Sequence, residues 1–141
     1  MRKLGGIYRV TYILVFNRAG ELLVQRRTTI KDQYPDMLDL AAGGVVAFDE
    51  DYLQSALREL KEELGVNVPL TYQGNVYFED MSCLPVNQNW GAVFSCVCDG
   101  PFILQCEEVS SVSFMSIESI MALDARDITP DTRQVLVSYL L

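Results

Sequence analysis

Gly44 to Val66 reads GVVAFDEDYLQSALRELKEELGV. From about Asp51 to Leu64 the spacing predicts a helix. Leu53, Ala56, Leu57, Leu60 and Leu64 recur at intervals of three and four and form one apolar face. Gly65 ends the helix as a residue able to take the left-handed conformation. Away from the leucines, Glu59 lies three residues before Glu62 and four before Glu63, so their carboxylates share a face. Arg58 lies four before Glu62 and eight after Glu50, close enough in angle to pair with either. Adjacent carboxylates repel and raise one another's pKa unless a cation sits among them. Oxygen donors without His or Cys select hard cations, hence Mg2+ or Mn2+. A solvated acidic helix face is the plain alternative.

The rest of the chain narrows the chemistry. Eleven basic against nineteen acidic residues give a net charge of −8, the wrong sign for gripping duplex nucleic acid. An acidic chain that handles phosphates needs a divalent cation between its carboxylates and the substrate. The chain has no histidine, which excludes Ser-His-Asp and Cys-His catalysis and any zinc site that uses His. Cys83, Cys96, Cys98 and Cys106 form no C-x-x-C pair; they are expected to be reduced and structural, which points to the cytoplasm. No apolar run of transmembrane length occurs, and the first ten residues do not resemble a signal peptide.

A chain of 141 residues fits one domain, residues 1–141. Tyr8 to Phe16 and Leu22 to Arg26 read as strands joined by Asn17-Arg18-Ala19-Gly20, a β-hairpin. Thr28 to Met37 is a polar loop, and Ala41-Ala42-Gly43-Gly44 allows close approach of backbone or ligand. Thr71 to Phe78, Trp90 to Cys98 and Val109 to Phe114 are further strands, with a loop over 79–89. Ser116 to Leu123 reads as a short helix. Thr129 and Pro130 open a last helix as N-cap and N1. The class is mixed α and β. The chain stops inside that apolar helix, which suggests a shortened form and a homodimer covering Leu140 and Leu141.

The pattern G-x5-E-x7-R-E-U-x-E-E-x-G-U, with U aliphatic, is matched at every fixed position from Gly44 to Val66. This resembles the signature of the Nudix family. The resemblance implies an α/β/α sandwich around a mixed, largely antiparallel sheet. It also implies a loop–helix–loop that binds divalent cations and a substrate's diphosphate. By position, Glu59, Glu62 and Glu63 look like metal ligands, with the Gly44 carbonyl a further one. Arg58 looks like the residue that orients the glutamates, and Glu50 like its salt-bridge partner, while Leu60, Leu64 and Val66 would be core. Glu59 is also a candidate base.

Leu22 to Arg27, then Lys31, Tyr34-Pro35 and Gly43-Gly44, is similar to the isopentenyl-diphosphate isomerase branch of the same fold. That likeness places Arg27 and Lys31 on the diphosphate. The isomerase's cysteine and histidine positions hold Gly43 and Val45, however, and its two glutamates are replaced by Asn87 and Asn89. Cys83 lies in another segment. The expected activity is therefore hydrolysis of a phosphoanhydride in a small-molecule, nucleoside diphosphate-linked substrate. A non-catalytic ligand-binding domain is the alternative, and an isomerase a weaker one. Candidates for a carboxylate outside the motif are Glu79, Asp80, Glu107 and Glu108. Tyr34, Tyr77, Phe78 and Trp90 are candidates for stacking on a base.

Overall fold

The structure is a computed structural model that describes residues 6–31, 34–82 and 86–141. Cys83 lies outside the described residues. The elements run β1 (Gly6–Phe16), β2 (Leu22–Arg27), β3 (Leu38–Asp39), α1 (Tyr52–Leu64), β4 (Thr71–Asp80), β5 (Asn87–Val97), β6 (Val109–Met115), α2 (Ile117–Met121) and α3 (Pro130–Leu140). One sheet has the order β3-β2-β1-β5-β4, with β6 on β2. The β1–β5 pair is parallel and the other pairs are antiparallel.

Alternation along β1 separates two cores. Tyr12 and Leu14 face Val135 and Leu136 of α3 and Ile120 of α2. Ile13 and Val15 face Ala56, Leu60 and Leu64 of α1. The sheet is thus sandwiched between α1 on one face and α2 and α3 on the other. Truncating Leu60, which is fully buried, leaves a cavity under α1. Leu60→Ala is expected to cost about 2–5 kcal/mol, read as a lower denaturation midpoint at unchanged slope.

The expected hairpin opens almost at once. β1 and β2 share a single residue pair, Phe16 with Leu22. Each strand has a longer partner elsewhere. β1 runs beside β5 from Gly6 with Asn87 to Phe16 with Val97. β2 ladders with β6 from Leu22 with Met115 to Arg27 with Val109. Residues 38–46 fill the opening. Leu38 and Asp39 pair with Arg26 and Gln25 of β2. Ala42 exchanges backbone bonds of 2.8 and 2.9 Å with Ile13 of β1.

Three further expectations change. Leu53 is 47% exposed and Leu57 36% exposed, so the buried stripe of α1 is Ser55, Ala56, Leu60 and Leu64. The sheet covers only a four-residue repeat, narrower than the leucine pattern. β4 and β5 extend through Glu79 with Gln88 and Asp80 with Asn87, because the ladder bonds backbone and tolerates polar side chains. Thr129 does cap α3 in position, but its hydroxyl makes no capping bond; it donates to Asp39 Oδ1 at 2.7 Å. Cys96, Cys98 and Cys106 are free thiols. Among the described residues no helix is long and apolar enough to cross a membrane.

Candidate active site

α1 starts with a reciprocal cap. Asp51 accepts from the Gln54 backbone at 2.8 Å, and the Gln54 side chain accepts from the Asp51 backbone at 2.9 Å. Gly65, at φ +69°, closes the other end and donates to Lys61 at 2.9 Å. The first turn is therefore fixed relative to Glu50, one residue before the cap. Glu50 receives Arg58 as a fork, Nε on Oε2 at 2.7 Å and Nη2 on Oε1 at 2.9 Å. The third arm, Nη1, donates to Glu59 at 3.1 Å and to Glu62 at 3.0 Å. The hydrogen bond from Arg58 holds the Glu50 carboxyl below its ordinary value. The same contact raises the Arg58 guanidinium. Arg58 is thus the hub that orients two of the expected ligand glutamates, and Glu50 is its anchor.

Glu63 is on the other side of Glu59. Burial first, then a hydrogen bond and the charge of Glu59, push its pKa well above the ordinary value; the Gly43 N–H bonded to it acts in the opposite direction. Gly43 itself has φ +122°, and a Cβ there would lie 2.1 Å from the Thr11 carbonyl oxygen. A Cβ on Gly44 would sit 3.2 Å from the Glu59 carboxylate. The two glycines therefore let the chain between β1 and α1 touch both. The Gly44 carbonyl accepts the Thr11 N–H at 2.9 Å. Among the described residues no three ligand side chains close around one point; Arg58 draws Glu59 and Glu62 to itself. The donor set nonetheless fits a hard divalent cation. It is all oxygen, and Glu59 and Glu63 bring like charges into contact in a half-buried place.

A cavity of about 540 Å³ opens beside this pair. Glu59, Glu63, Gly43, Gly44, Arg27 and Lys31 line it, so the basic residues expected at the diphosphate share one space with the carboxylates. Arg27 Nη1 meets Asp39 Oδ2 at 3.0 Å. Lys31 contacts Glu108. Glu107 and Glu108 also line the cavity. Glu79 instead accepts from the Tyr77 hydroxyl at 2.6 Å, and Asp80 takes the Tyr34 hydroxyl and Ser82. Phe78 is buried. Tyr77 and the exposed Trp90 meet in a tilted ring contact, centroids 4.5 Å apart, away from the cavity lining.

Residues 7–136 match the NUDIX domain family. The chain belongs to that family. It is 48% identical over 134 residues to the Nudix hydrolase YfcD of Escherichia coli, covering 94% of this chain and 72% of YfcD. It is 47% identical over 143 residues to the Nudix hydrolase PA4841 of Pseudomonas aeruginosa, covering 99% of this chain and 82% of the relative. The crystal structure of a MutT protein from Methanosarcina mazei superposes with a TM-score of 0.81 at 23% identity, covering 96% of this chain and 94% of that one. The Nudix domain of Shewanella oneidensis NrtR, solved with ADP-ribose, superposes with a TM-score of 0.72 at 16% identity, covering 96% and 86%. These two structures share the fold of this Nudix domain.

Four residues of the Nudix cavity escape sequence reasoning. Asp39, Tyr12, Asp131 and Thr132 all line it. Asp39 carries a faint signal, an acid set between Leu38 and Leu40 in an otherwise apolar stretch. Tyr12 looks like any strand aromatic. Asp131 and Thr132 look like an ordinary helix start, and only the packing of α3 brings them to the Nudix helix's cavity.

Proposed function

We propose that this Nudix domain is a Mg2+- or Mn2+-dependent hydrolase that cleaves a phosphoanhydride bond in a nucleoside diphosphate-linked small molecule. The observation that supports it is the juxtaposition in one cavity of the Glu59–Glu63 pair with Arg27 and Lys31. Glu59, Glu62, Glu63 and the Gly44 carbonyl would hold the cation. When bound, such a cation neutralises diphosphate oxygens and lowers the pKa of a bound water. Glu59 takes the proton of the attacking water. Arg58, anchored on Glu50, keeps Glu59 and Glu62 in register. Arg27 and Lys31 pair with diphosphate oxygens. Of the four carboxylates that the sequence offers outside the motif, Glu107 and Glu108 are the two that line the cavity, and either would assist.

Hydrolysis is favoured over isomerisation by two residues kin to the isomerase branch in position only. Gly43 has no side chain to donate a proton. Asn89 is buried, with its amide donating to Tyr12 at 3.1 Å, and an amide does not titrate in the useful range.

The test is a hydrolysis screen over nucleoside diphosphate derivatives, ADP-ribose among them, with magnesium, with manganese and with excess chelator. Turnover is expected with either metal and none in chelator. Undiminished turnover in chelator overturns the cation site.

Arg27→Ala and Lys31→Ala are expected to raise KM more than they lower kcat, since both grip the ground-state diphosphate. Arg27→Lys should recover only part of the loss, because the fork is gone. An unaltered KM in both alanine variants would make them surface charges.

A further inference from the structure

The strand that carries Arg27 is tied to the start of α3 through Asp39, and both residues line the cavity. In the β2–β3 ladder Gln25 lies opposite Asp39, so Arg27, two residues on, sits diagonally across from it. The Arg27 backbone N–H is fixed as well, bonded to the Met37 carbonyl at 2.9 Å. The Thr129 N–H donates to the Leu38 carbonyl at 2.8 Å, which brings the first turn of α3 alongside.

Both oxygens of Asp39 have partners. Oδ2 accepts from Arg27 Nη1 at 3.0 Å, and Oδ1 accepts from the Thr129 hydroxyl at 2.7 Å. The Thr129 and Thr132 hydroxyl oxygens are 2.5 Å apart, and the Leu40 N–H donates to Thr132 Oγ1 at 3.1 Å. An ionised carboxylate only accepts, so the Thr129 proton goes to Asp39 and the Thr132 proton to Thr129. The order Leu40, Thr132, Thr129, Asp39 is thereby set. Thr129 and Thr132 are buried, and the Arg27 and Asp39 side chains are only 19% and 17% exposed. An exposed ion pair contributes little because two long side chains must be held in one geometry; here the carboxylate is already held by α3. A guanidinium is a rigid planar fork with five N–H donors. One bond at Nη1 therefore restricts the plane of the whole fork while occupying one donor of five.

We propose that Asp39 is the positioning residue for Arg27: braced by Thr129 at the start of α3, it aims the guanidinium at the substrate's diphosphate. This rests on the hydrolase reading, in which Arg27 grips that diphosphate. A purely electrostatic role predicts the opposite sign. A carboxylate beside a diphosphate repels it, so if charge were all that Asp39 contributed, removing it would tighten binding.

The experiment is a double-mutant cycle read by calorimetric titration of methylenediphosphonate, a diphosphate that cannot be hydrolysed, in the presence of magnesium. Arg27→Ala is expected to weaken binding about tenfold or more, the loss of a charge-assisted contact. Asp39→Ala should weaken it about fivefold, and should add no further loss in the Arg27→Ala background, because its effect passes through Arg27. Asp39→Asn keeps the shape and one acceptor oxygen, and should fall between the wild type and Asp39→Ala. If Asp39→Ala does not fold, as judged by its melting curve, Asp39→Asn in the two backgrounds decides, with about a twofold loss or more expected only where Arg27 is present. Four results overturn the proposal: no binding by the wild type, no loss in Arg27→Ala, tighter binding on removing the Asp39 charge, or an Asp39 loss that persists without Arg27. Binding is read without turnover. The expected pattern with no hydrolysis of any substrate screened would therefore sink the hydrolase reading alone, and hydrolysis with an Asp39 loss that persists without Arg27 would sink the positioning reading alone.

Discussion

Glu63→Gln is expected to lose at least about a hundredfold in turnover, the usual loss when a transition-state electrostatic group is removed, while melting no lower than the wild type. The reason for the second half is visible in the site. Burial and the neighbouring Glu59 raise the Glu63 pKa, so its charged form is disfavoured in the folded chain. A carboxyl whose folded pKa lies above its unfolded value supplies stability at low pH that is lost as pH rises through the folded value. In chelator, the gap in melting temperature between Glu63→Gln and the wild type should therefore widen in the variant's favour as pH climbs above the ordinary carboxylate range. The amide oxygen can still accept the Gly43 N–H. Wild-type turnover in Glu63→Gln would favour the solvated acidic face, and a large fall in melting temperature would make Glu63 a structural acid.

Gly43→Ala is expected to fail in the opposite way, losing the fold with the activity. A methyl group at φ +122° is strained, and here it would overlap the Thr11 carbonyl at 2.1 Å. The backbone strain and the overlap together should cost about 3 kcal/mol or more. Gly74 is the internal control. Its φ is +127°, yet nothing lies within 4 Å of its Cβ position, so Gly74→Ala carries the strain without the overlap and should cost less. Gly44→Ala separates site from fold. Its φ is not in the left-handed region, and its Cβ would press only on the Glu59 carboxylate at 3.2 Å. It should melt near the wild type and lose about tenfold or more in turnover, since displacing a catalytic group by a fraction of an ångström is costly to rate and cheap in stability. Equal melting temperatures for Gly43→Ala and Gly74→Ala would show that the Thr11 contact relaxes.

The glycine pair and the helix show how far local pattern carries. Glu59, Glu62 and Glu63 share a face because three and four residues make about one helical turn, and Arg58 reaches Glu50 across the helix start for the same reason. Gly65 ends α1 in the conformation its residue type permits. Leu53 and Leu57 mark the limit of the same logic. Periodicity says which residues share a face, and the extent of the sheet beneath says how many are covered.

Amino-acid order alone determined the helix, its capping, the acidic face and the small residues that approach it. Each depends on bonds spanning a few positions, with partners in reach whatever the rest of the chain does. Tertiary structure decided what the cavity is made of. The turn read from Asn17 to Gly20 forms, but β1 and β2 part after one residue pair because β1 has a longer partner in β5 and β2 in β6, and strand pairing is a competition settled by total burial and bonding across the chain. Opening that hairpin admitted residues 38–46 and made room for the cavity. Tyr12 and Asp131 then met across 119 positions of sequence, a distance over which no local periodicity operates and only the packing of α3 on the sheet can act.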